Sequence, residues 1–271
     1  MGNDGRSCTD ACHGVKHRAT VAEGKLHDAR ATRDQPAWTP SSARRGIRAN
    51  AQPPQGAFTR LKNTVADILP ISASSPDPET VRRAADVLLG GGVVAFPTDT
   101  LYAIGCLLGD AAAAERICRM RRIDTGKRPF SLLLPDVGTL PRYAEVSESA
   151  YRIINRLLPG PYCVELQAKA KALGSPGSSQ RQTLGLRIPA SLICSKLLWR
   201  VGRPVVSVTA KDPAGATLTT AAAIATAYGT ELDLILDGGL QEGLPSTVIS
   251  LVDDWITVLR PGRGSTANLV V

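Results

Sequence analysis

The chain has 271 residues, of which 43% are hydrophobic, so it is long enough to bury a substantial core. It contains no run of about 18 apolar residues, so we expect no transmembrane helix. The formal net charge is +8; residues 76–211 alone carry +8, and residues 212–271 carry −5. A basic middle region favours an anionic partner, such as a nucleotide phosphate or a nucleic acid, although a solvated basic surface would carry the same charge.

The first 75 residues differ from the rest in composition. They are rich in Ala, Arg, Gly, Ser and Pro, and they lack apolar periodicity outside a short stretch at residues 61–69. Arg- and Ser-rich segments are typical of organelle transit peptides, but those are poor in acids, and five acidic residues lie before position 35 here. We therefore interpret residues 1–75 either as a transit segment for a plastid or mitochondrion or as a disordered tail of a cytoplasmic protein.

Histidine is confined to this N-terminal segment, at His13, His17 and His27. The folded part is therefore not expected to use histidine as a general base or as a metal ligand. Cys8 and Cys12 do not have the spacing of a structural zinc pair, so no protein-bound metal is predicted. The other four cysteines stand singly in apolar or helical stretches, as buried thiols do in a reducing compartment.

Residues 76–265 alternate between helical and strand patterns, and residues 266–271 are a short C-terminal tail. A helix begins at Pro78 and is ended by Gly90–Gly92. The other predicted elements, in chain order, are strand Val93–Phe96, helix Ala111–Arg122, strand Phe130–Leu134, helix Glu148–Leu158, strands Tyr162–Leu166 and Thr183–Ile188, helix Ser191–Trp199, strand Pro204–Val208, helix Thr219–Tyr228, and short strands Leu232–Leu236, Thr247–Leu251 and Trp255–Leu259. This alternation predicts a layered α/β domain, and the last two strands predict an antiparallel portion of a mixed sheet.

Hydroxyl side chains follow or end several of these strands. Thr98 and Thr100 come directly after a buried strand, Ser207 and Thr209 end a later one, and Ser246 precedes another. Ligands commonly bind at the carboxyl ends of strands, and hydroxyls both donate and accept hydrogen bonds, which suits a small amino acid or a phosphate. The alternative is that Thr98 and Thr100 only stabilise a turn.

Basic side chains form a second group of candidates. The run Arg119–Arg128, which includes Arg121 and Lys127, ends a helix, where it either binds phosphate or faces solvent at the negative end of the helix dipole. Arg187 lies within an apolar strand, which is costly unless the arginine is paired, so it points either to an internal carboxylate or to a ligand. Arg260 would supply another anion contact.

The order of these motifs resembles the YrdC-like family, whose best-known members are threonylcarbamoyl-adenylate synthases, over about residues 76–265. The longest matching piece is Gly91–Gly105, which reads GGVVAFPTDTLYAIG. The shorter matching pieces are Pro159–Pro161, Leu186–Pro189, Pro204–Ser207, Asp237–Gly239, Pro245–Val248 and Leu259–Gly262. The resemblance implies an α/β fold of the YrdC/RibB-like type, in which helices surround a twisted mixed sheet with a concave basic cavity.

The resemblance also implies a reaction. L-threonine, bicarbonate and ATP, the last carrying Mg²⁺ on its triphosphate, give threonylcarbamoyl-AMP and pyrophosphate, and the product feeds the modification of adenosine-37 in certain tRNAs. Mapped by motif, the substrate-binding residues would be Thr98, Thr100, Ser207, Thr209 and Ser246, and the nucleotide-binding residues Arg121, Lys127, Arg187, Lys211 and Arg260. A site without histidine is compatible with this chemistry, which mainly needs positioning and stabilisation of phosphate charge.

Two motifs depart from the family pattern. The Lys-x-Arg motif reads Arg121-Arg122-Ile123, so its second basic residue is missing unless Lys127 or Arg128 replaces it. The Asn that ends the Ser-Thr-Ser-Ala-Asn motif is Lys211, which keeps a positive charge near phosphates but lacks the amide acceptor. These departures resemble the YciO-type branch. The alternative function is a non-catalytic protein of the same fold that binds double-stranded RNA or tRNA, in keeping with its basic middle region.

Overall fold

In the computed structural model, residues 65–123, 130–169, 183–252 and 255–269 are described. Ten strands among them form one sheet: β1 (Asp67–Pro70), β2 (Val94–Pro97), β3 (Tyr102–Leu107), β4 (Ser131–Leu133), β5 (Tyr162–Gln167), β6 (Thr183–Arg187), β7 (Val205–Thr209), β8 (Leu234–Asp237), β9 (Thr247–Ser250) and β10 (Thr257–Arg260). Their order across the sheet is β1-β8-β2-β3-β7-β4-β6-β5-β9-β10. Strands β4 and β6 are parallel, whereas β2 and β3, and β9 and β10, are antiparallel, so the predicted mixed sheet is confirmed.

The helices begin where the sequence supplies a capping side chain. The α-helices in the described residues are α1 (Pro78–Leu89), α2 (Ala111–Met120), α3 (Glu148–Leu157), α4 (Leu192–Val201) and α5 (Ala221–Tyr228). Each follows a residue whose side chain accepts a hydrogen bond from a backbone N–H of the first turn; these caps are Asp77, Asp110, Ser147, Ser191 and Thr220. Short 3₁₀ helices lie at Val137–Arg142 and Ala267–Leu269.

Strand β3 was not predicted from the sequence. It forms an antiparallel hairpin with β2 around a turn at residues 98–101, so most of the motif Gly91–Gly105 is this hairpin. Every residue of β3 is buried, and the strand therefore lacks the polar–apolar alternation that marks a half-exposed strand. A Cβ at Gly105 would lie 2.9 Å from the side chain of Val205 and from the carbonyl oxygen of Val206, so glycine lets β3 and β7 approach closely.

The sheet begins before the predicted domain boundary at residue 76. Strand β1 pairs in parallel with β8, and the residues that flank it, Ala66 and Ile71, are buried. At the other end, Leu269 packs in the core although it falls within the predicted tail 266–271. The predicted transit segment falls mostly on residues 1–64, which lie outside the described residues. No helix in the described ranges combines the length and hydrophobicity needed to cross a membrane.

The two faces of the sheet carry different side chains. Helices α1 and α4 pack on the first face, over residues such as Phe96, Leu133 and Val205. Helices α2, α3 and α5 pack on the second face. Beyond Leu133 and Val205, the first face of β4–β7 carries small and polar residues, which we call the polar face: Ser131, Cys163, Glu165, Thr183, Gly185, Arg187, Ser207 and Thr209.

A contact on this face shows that the sheet bends. Strands β2 and β6 are four positions apart in the sheet order, which is about 19 Å at ordinary strand spacing. Nevertheless Arg187, at the end of β6, hydrogen-bonds Asp99, two residues after β2, at 2.9 Å. A flat sheet would hold these residues too far apart. The sheet therefore curves toward the polar face, which forms its concave side.

Candidate functional site

Strand register builds the polar face. Ser207 of β7 lies opposite Ser131 of β4, which lies opposite Gly185 of β6. Gly185 in turn lies opposite Glu165 of β5. Directly opposite residues are about 5 Å apart at their Cβ atoms, so a continuous row of small and polar groups crosses four neighbouring strands.

Hydrogen bonds and close contacts organise this row. Ser131 Oγ and Cys163 Sγ are 3.4 Å apart, and the Thr183 hydroxyl donates to the Glu165 carboxylate. A Cβ at Gly185 would lie 3.0 Å from Cys163 Sγ and 3.7 Å from Ser131 Oγ. Glycine therefore leaves room for the Cys163 thiol and the Ser131 hydroxyl at the centre of the polar face.

Arg187 is buried on this face and is held by the β2–β3 turn. Its Nη2 donates to Asp99 Oδ1 at 2.9 Å and to Thr100 Oγ1 at 3.3 Å. The other Asp99 oxygen accepts from the Ala190 N–H at 3.1 Å. The internal carboxylate that the sequence offered as one partner of Arg187 is thus Asp99. The buried Nε of Arg187 has no hydrogen-bond partner within the described residues, which leaves a charged donor for an anion.

Thr98 and Thr100 lie in the same turn. Thr98 Oγ1 donates to the Leu101 carbonyl at 2.7 Å and accepts from the Thr100 N–H at 3.1 Å. Thr100 Oγ1 accepts from Arg187, as described above. Both threonines are buried, and their hydroxyls shape the turn and orient the arginine.

Ser246, directly before β9, and Arg260, at the end of β10, form a second polar group. Arg260 Nη2 donates to the Ser246 carbonyl at 2.9 Å. The buried Ser246 hydroxyl has no partner in the part of the chain that the structure describes. Arg260 lies opposite Val248, and Val248 lies opposite Cys163 of the polar face. Burial raises the pKa of the Cys163 thiol, and the charges of Arg187 and Arg260 both oppose that shift, so both arginines act on the same point of the face.

Arg121 and Lys211 lie at the carboxyl end of β7, next to Thr209. Arg121 ends α2, and its Nη1 donates to the Lys211 carbonyl, which also accepts from the Tyr228 hydroxyl at 2.8 Å. Burial lowers the pKa of Arg121. The guanidinium is therefore tied to the backbone beyond β7 and is not a solvated helix end. Lys127 lies outside the described residues.

The glycines Gly238 and Gly239 follow β8 and are held by Tyr102. The Tyr102 hydroxyl donates to the Gly239 carbonyl at 2.8 Å and accepts from the Gly238 N–H at 3.1 Å. Burial raises the pKa of Tyr102 to about 12, so it stays a neutral donor. A Cβ at Gly238 would lie 2.6 Å from the Pro97 ring, so glycine permits this close approach beside the turn.

Sequence reasoning missed three residues of this site: Ser131, Cys163 and Gly185. Asp99 lay inside the candidate stretch Thr98–Thr100 but was given no role of its own. Asp99 carried a signal, because it is the carboxylate inside the motif and Arg187 needed one. Ser131 and Cys163 carried none, since only the strand order makes them neighbours. Among the described residues, no group of three or more His, Cys, Asp or Glu is arranged to hold a metal ion.

The buried thiols allow a direct test of this geometry. Burial raises the pKa of Cys106 and of Cys194 to about 12, and it also raises the pKa of Cys163. At pH 8, a thiol of pKa 12 is ionised in about one molecule in ten thousand, so iodoacetamide should modify these cysteines slowly in the folded protein. Peptide mass spectrometry before and after unfolding in urea measures the protection. Rapid modification of folded Cys163 would contradict its placement.

An open mixed sheet surrounded by helices is the architecture that the comparisons also find. The family model described as "Telomere recombination", for Sua5, YciO and YrdC proteins, matches residues 86–262. The chain belongs to the Sua5/YciO/YrdC family.

Relatives from three organisms illustrate the family. A Haemophilus influenzae protein is 34% identical over 202 residues, which cover 74% of this chain and 97% of the relative. Escherichia coli YciO is 33% identical over 195 residues (72% and 94%), and its crystal structure superposes with a TM-score of 0.69 over 74% of this chain and 98% of that one. The crystal structure of Pyrococcus abyssi Sua5 complexed with L-threonine is 28% identical, with a TM-score of 0.64 over 73% and 58% of the two chains.

A Pyrococcus abyssi threonylcarbamoyl-AMP synthase is 30% identical over 184 residues, which cover 67% of this chain and 54% of the synthase. The family thus includes proteins named as synthases as well as the YciO proteins.

Proposed function

We propose that the protein binds L-threonine and Mg²⁺-ATP on the polar face and, with bicarbonate, forms threonylcarbamoyl-AMP and pyrophosphate for tRNA modification. The observation that carries the proposal is Arg187: a buried arginine whose Nε lacks a partner within the described residues, on the same concave face as the hydroxyls of Ser131 and Ser207. The relatives that are named synthases, and the relative complexed with L-threonine, support the choice of substrates.

The proposed chemistry joins three molecules without a covalent enzyme intermediate. The threonine amino nitrogen bonds to the carbon of bicarbonate, and water leaves, which gives a carbamate. A carbamate oxygen then bonds to the α-phosphorus of ATP, and pyrophosphate leaves with its Mg²⁺. Both steps need aligned reactants and donors for negative charge more than they need a strong base.

The residues divide into two roles in this proposal. The hydroxyls of Ser131, Ser207 and Thr209 hold the amino acid, because hydroxyls can serve both its amine and its carboxylate. The Nε of Arg187 and the guanidinium of Arg260 face the anionic groups, where a charged hydrogen bond is about twice as strong as a neutral one. Asp99, Thr98 and Thr100 position Arg187 and do not react.

The proposal is tested with the full-length chain, L-threonine, bicarbonate, Mg²⁺ and ATP. Pyrophosphate release should depend on threonine and on bicarbonate, and threonylcarbamoyl-AMP should be detected by mass spectrometry. An active synthase of the family serves as the control. The absence of any threonine-dependent product in a reaction where the control is active would refute the proposal.

Gly185→Val should reduce the activity without unfolding the protein. The valine side chain displaces the Cys163 thiol and crowds the Ser131 hydroxyl, so threonine-dependent pyrophosphate release should fall at least tenfold. A β-branched residue suits a strand, so the protein should stay folded. Leu184→Val, one residue away on the opposite face, is the matched control and should keep full activity. Equal activity in Gly185→Val and Leu184→Val would place the reaction elsewhere.

A further inference from the structure

A cavity of about 370 Å³ lies outside the polar face, beside the C-terminal end of α4. Its lining comes from two segments: the one that follows β4, between Leu134 and Tyr143, and residues 198–204, which run from the last turn of α4 to the start of β7. No residue that lines it belongs to the polar face or to the Ser246–Arg260 group. Its volume lies within the range of about 300–1,000 Å³ typical of small-molecule sites.

The lining combines apolar, aromatic and cationic side chains. Leu134 and Leu198 are buried, whereas Trp199 is exposed, at 62% relative exposure. Arg142 and Arg203 are exposed cations, one on each of the two lining segments. Arg203 Nη2 donates to the Leu108 carbonyl at 3.2 Å, which holds one edge of its guanidinium and leaves the rest of the group for another partner.

The one carboxylate in the lining is already engaged. Asp136 Oδ1 accepts from the Thr139 N–H at 2.9 Å and caps the 3₁₀ helix, so it is fixed by the fold. The cavity therefore offers two arginines to an incoming anion against a single hydrogen-bonded carboxylate. It also lies within the segment 76–211, whose net charge is +8, so the wider field favours an anion as well.

The exposure of Trp199 indicates what else the ligand contains. A tryptophan this exposed adds little to the core, yet its neighbours on α4, Leu197 and Leu198, are buried. An indole face beside arginines suits a flat, electron-rich ring, and stacking of a base on an aromatic side chain contributes about 1–3 kcal/mol. Arginine forks match the oxygens of a phosphate.

We propose that this cavity binds a nucleoside phosphate, with the base stacked on Trp199 and the phosphate held between Arg142 and Arg203. The inference goes beyond the proposed function and does not depend on it, because the cavity and the polar face share no residue. The ligand is either a free nucleotide or a nucleotide at the end of an RNA strand, since both present the same ring and phosphate.

Calorimetric titration of the full-length Gly185→Val variant with AMP tests the proposal, because the polar face is crowded in that background. AMP should bind, and adenosine and inorganic phosphate should each bind at least tenfold more weakly. Trp199→Ala and Arg142→Ala/Arg203→Ala should each weaken AMP binding at least tenfold. Arg200→Ala, an exposed arginine beside Trp199 that does not line the cavity, is the matched control and should leave binding unchanged.

A 5′-phosphorylated oligoadenylate distinguishes the two sources. Tighter, Trp199-dependent binding of the oligomer than of AMP assigns the cavity to RNA, and equal binding assigns it to free nucleotides. AMP binding that Trp199→Ala leaves unchanged, or no AMP binding at all, overturns the proposal. Both results are independent of the synthase assay, because that assay measures a threonine-dependent product in the wild-type chain.

Discussion

Replacing Arg187 with methionine is expected to cost about 3–5 kcal/mol of unfolding free energy, because it leaves the Asp99 carboxylate buried without its charge partner. Asp99→Asn should cost a similar amount, because it leaves the Arg187 guanidinium buried without its carboxylate partner. The double variant Asp99→Asn/Arg187→Met removes both charges and should recover most of the loss, since a buried ion pair replaced as a whole is often neutral for stability. Urea denaturation of the four proteins measures this cycle.

Activity should not follow stability in that cycle. The double variant lacks the Arg187 guanidinium, so threonine-dependent pyrophosphate release should stay at least a hundredfold below the wild type even though the fold is restored. Arg82→Met, which removes two exposed ion pairs on α1, is the control and should change neither quantity measurably. A double variant that is both stable and active would show that Arg187 serves the fold alone.

Gly262→Ala is expected to lower both the unfolding free energy and the activity, because the added methyl group would collide with backbone atoms. A Cβ at this position would overlap the Pro245 carbonyl oxygen and lie 2.6 Å from the Ser246 carbonyl carbon and 2.7 Å from the Thr247 nitrogen. All three atoms are backbone, so the loop after β10 must move away from Ser246. We expect a loss of about 2–3 kcal/mol in unfolding free energy and at least a tenfold loss of pyrophosphate release, because Ser246 and Arg260 separate.

A second glycine provides the control for backbone strain. Gly215 has a φ of +97°, and a Cβ there would meet no atom within 4 Å of it in the described residues. Gly215→Ala therefore introduces only left-handed strain, about 1–2 kcal/mol, and should leave pyrophosphate release unchanged. Gly262→Ala should be more harmful than Gly215→Ala in urea denaturation and in the activity assay. Equal effects would contradict the close packing of Gly262 on the backbone of residues 245–247.

Much of the fold was predictable because its signals are local. The predicted starts of the helices at Pro78, Ala111 and Glu148 agree with the structure, since a capping side chain stands directly before each one. Strand β3 could not be predicted in the same way. It is buried on both faces and follows a four-residue turn, so neither alternation nor a glycine marks where it begins.

In the candidate site, too, only the local signals could be predicted. Its residue types were visible: hydroxyls at strand ends, and an arginine in an apolar strand that required a partner. Their neighbours were not, because Asp99 lies 88 residues before Arg187, and Cys163 lies 32 residues after Ser131. Such pairs meet only through the order in which the strands assemble.

By itself, the sequence determined that this protein is a mixed α/β domain of the Sua5/YciO/YrdC family. Helix caps, the spacing of apolar residues and the order of the motifs are all local features, so each can be recognised in a short stretch of chain. The tertiary structure decided that Thr98 and Thr100 hold a turn and that Arg187 pairs with Asp99 while keeping one donor unpartnered within the described residues. It also placed Arg121 on the backbone of Lys211. The physical reason is the curvature of the sheet, which brings side chains from distant strands onto one concave face.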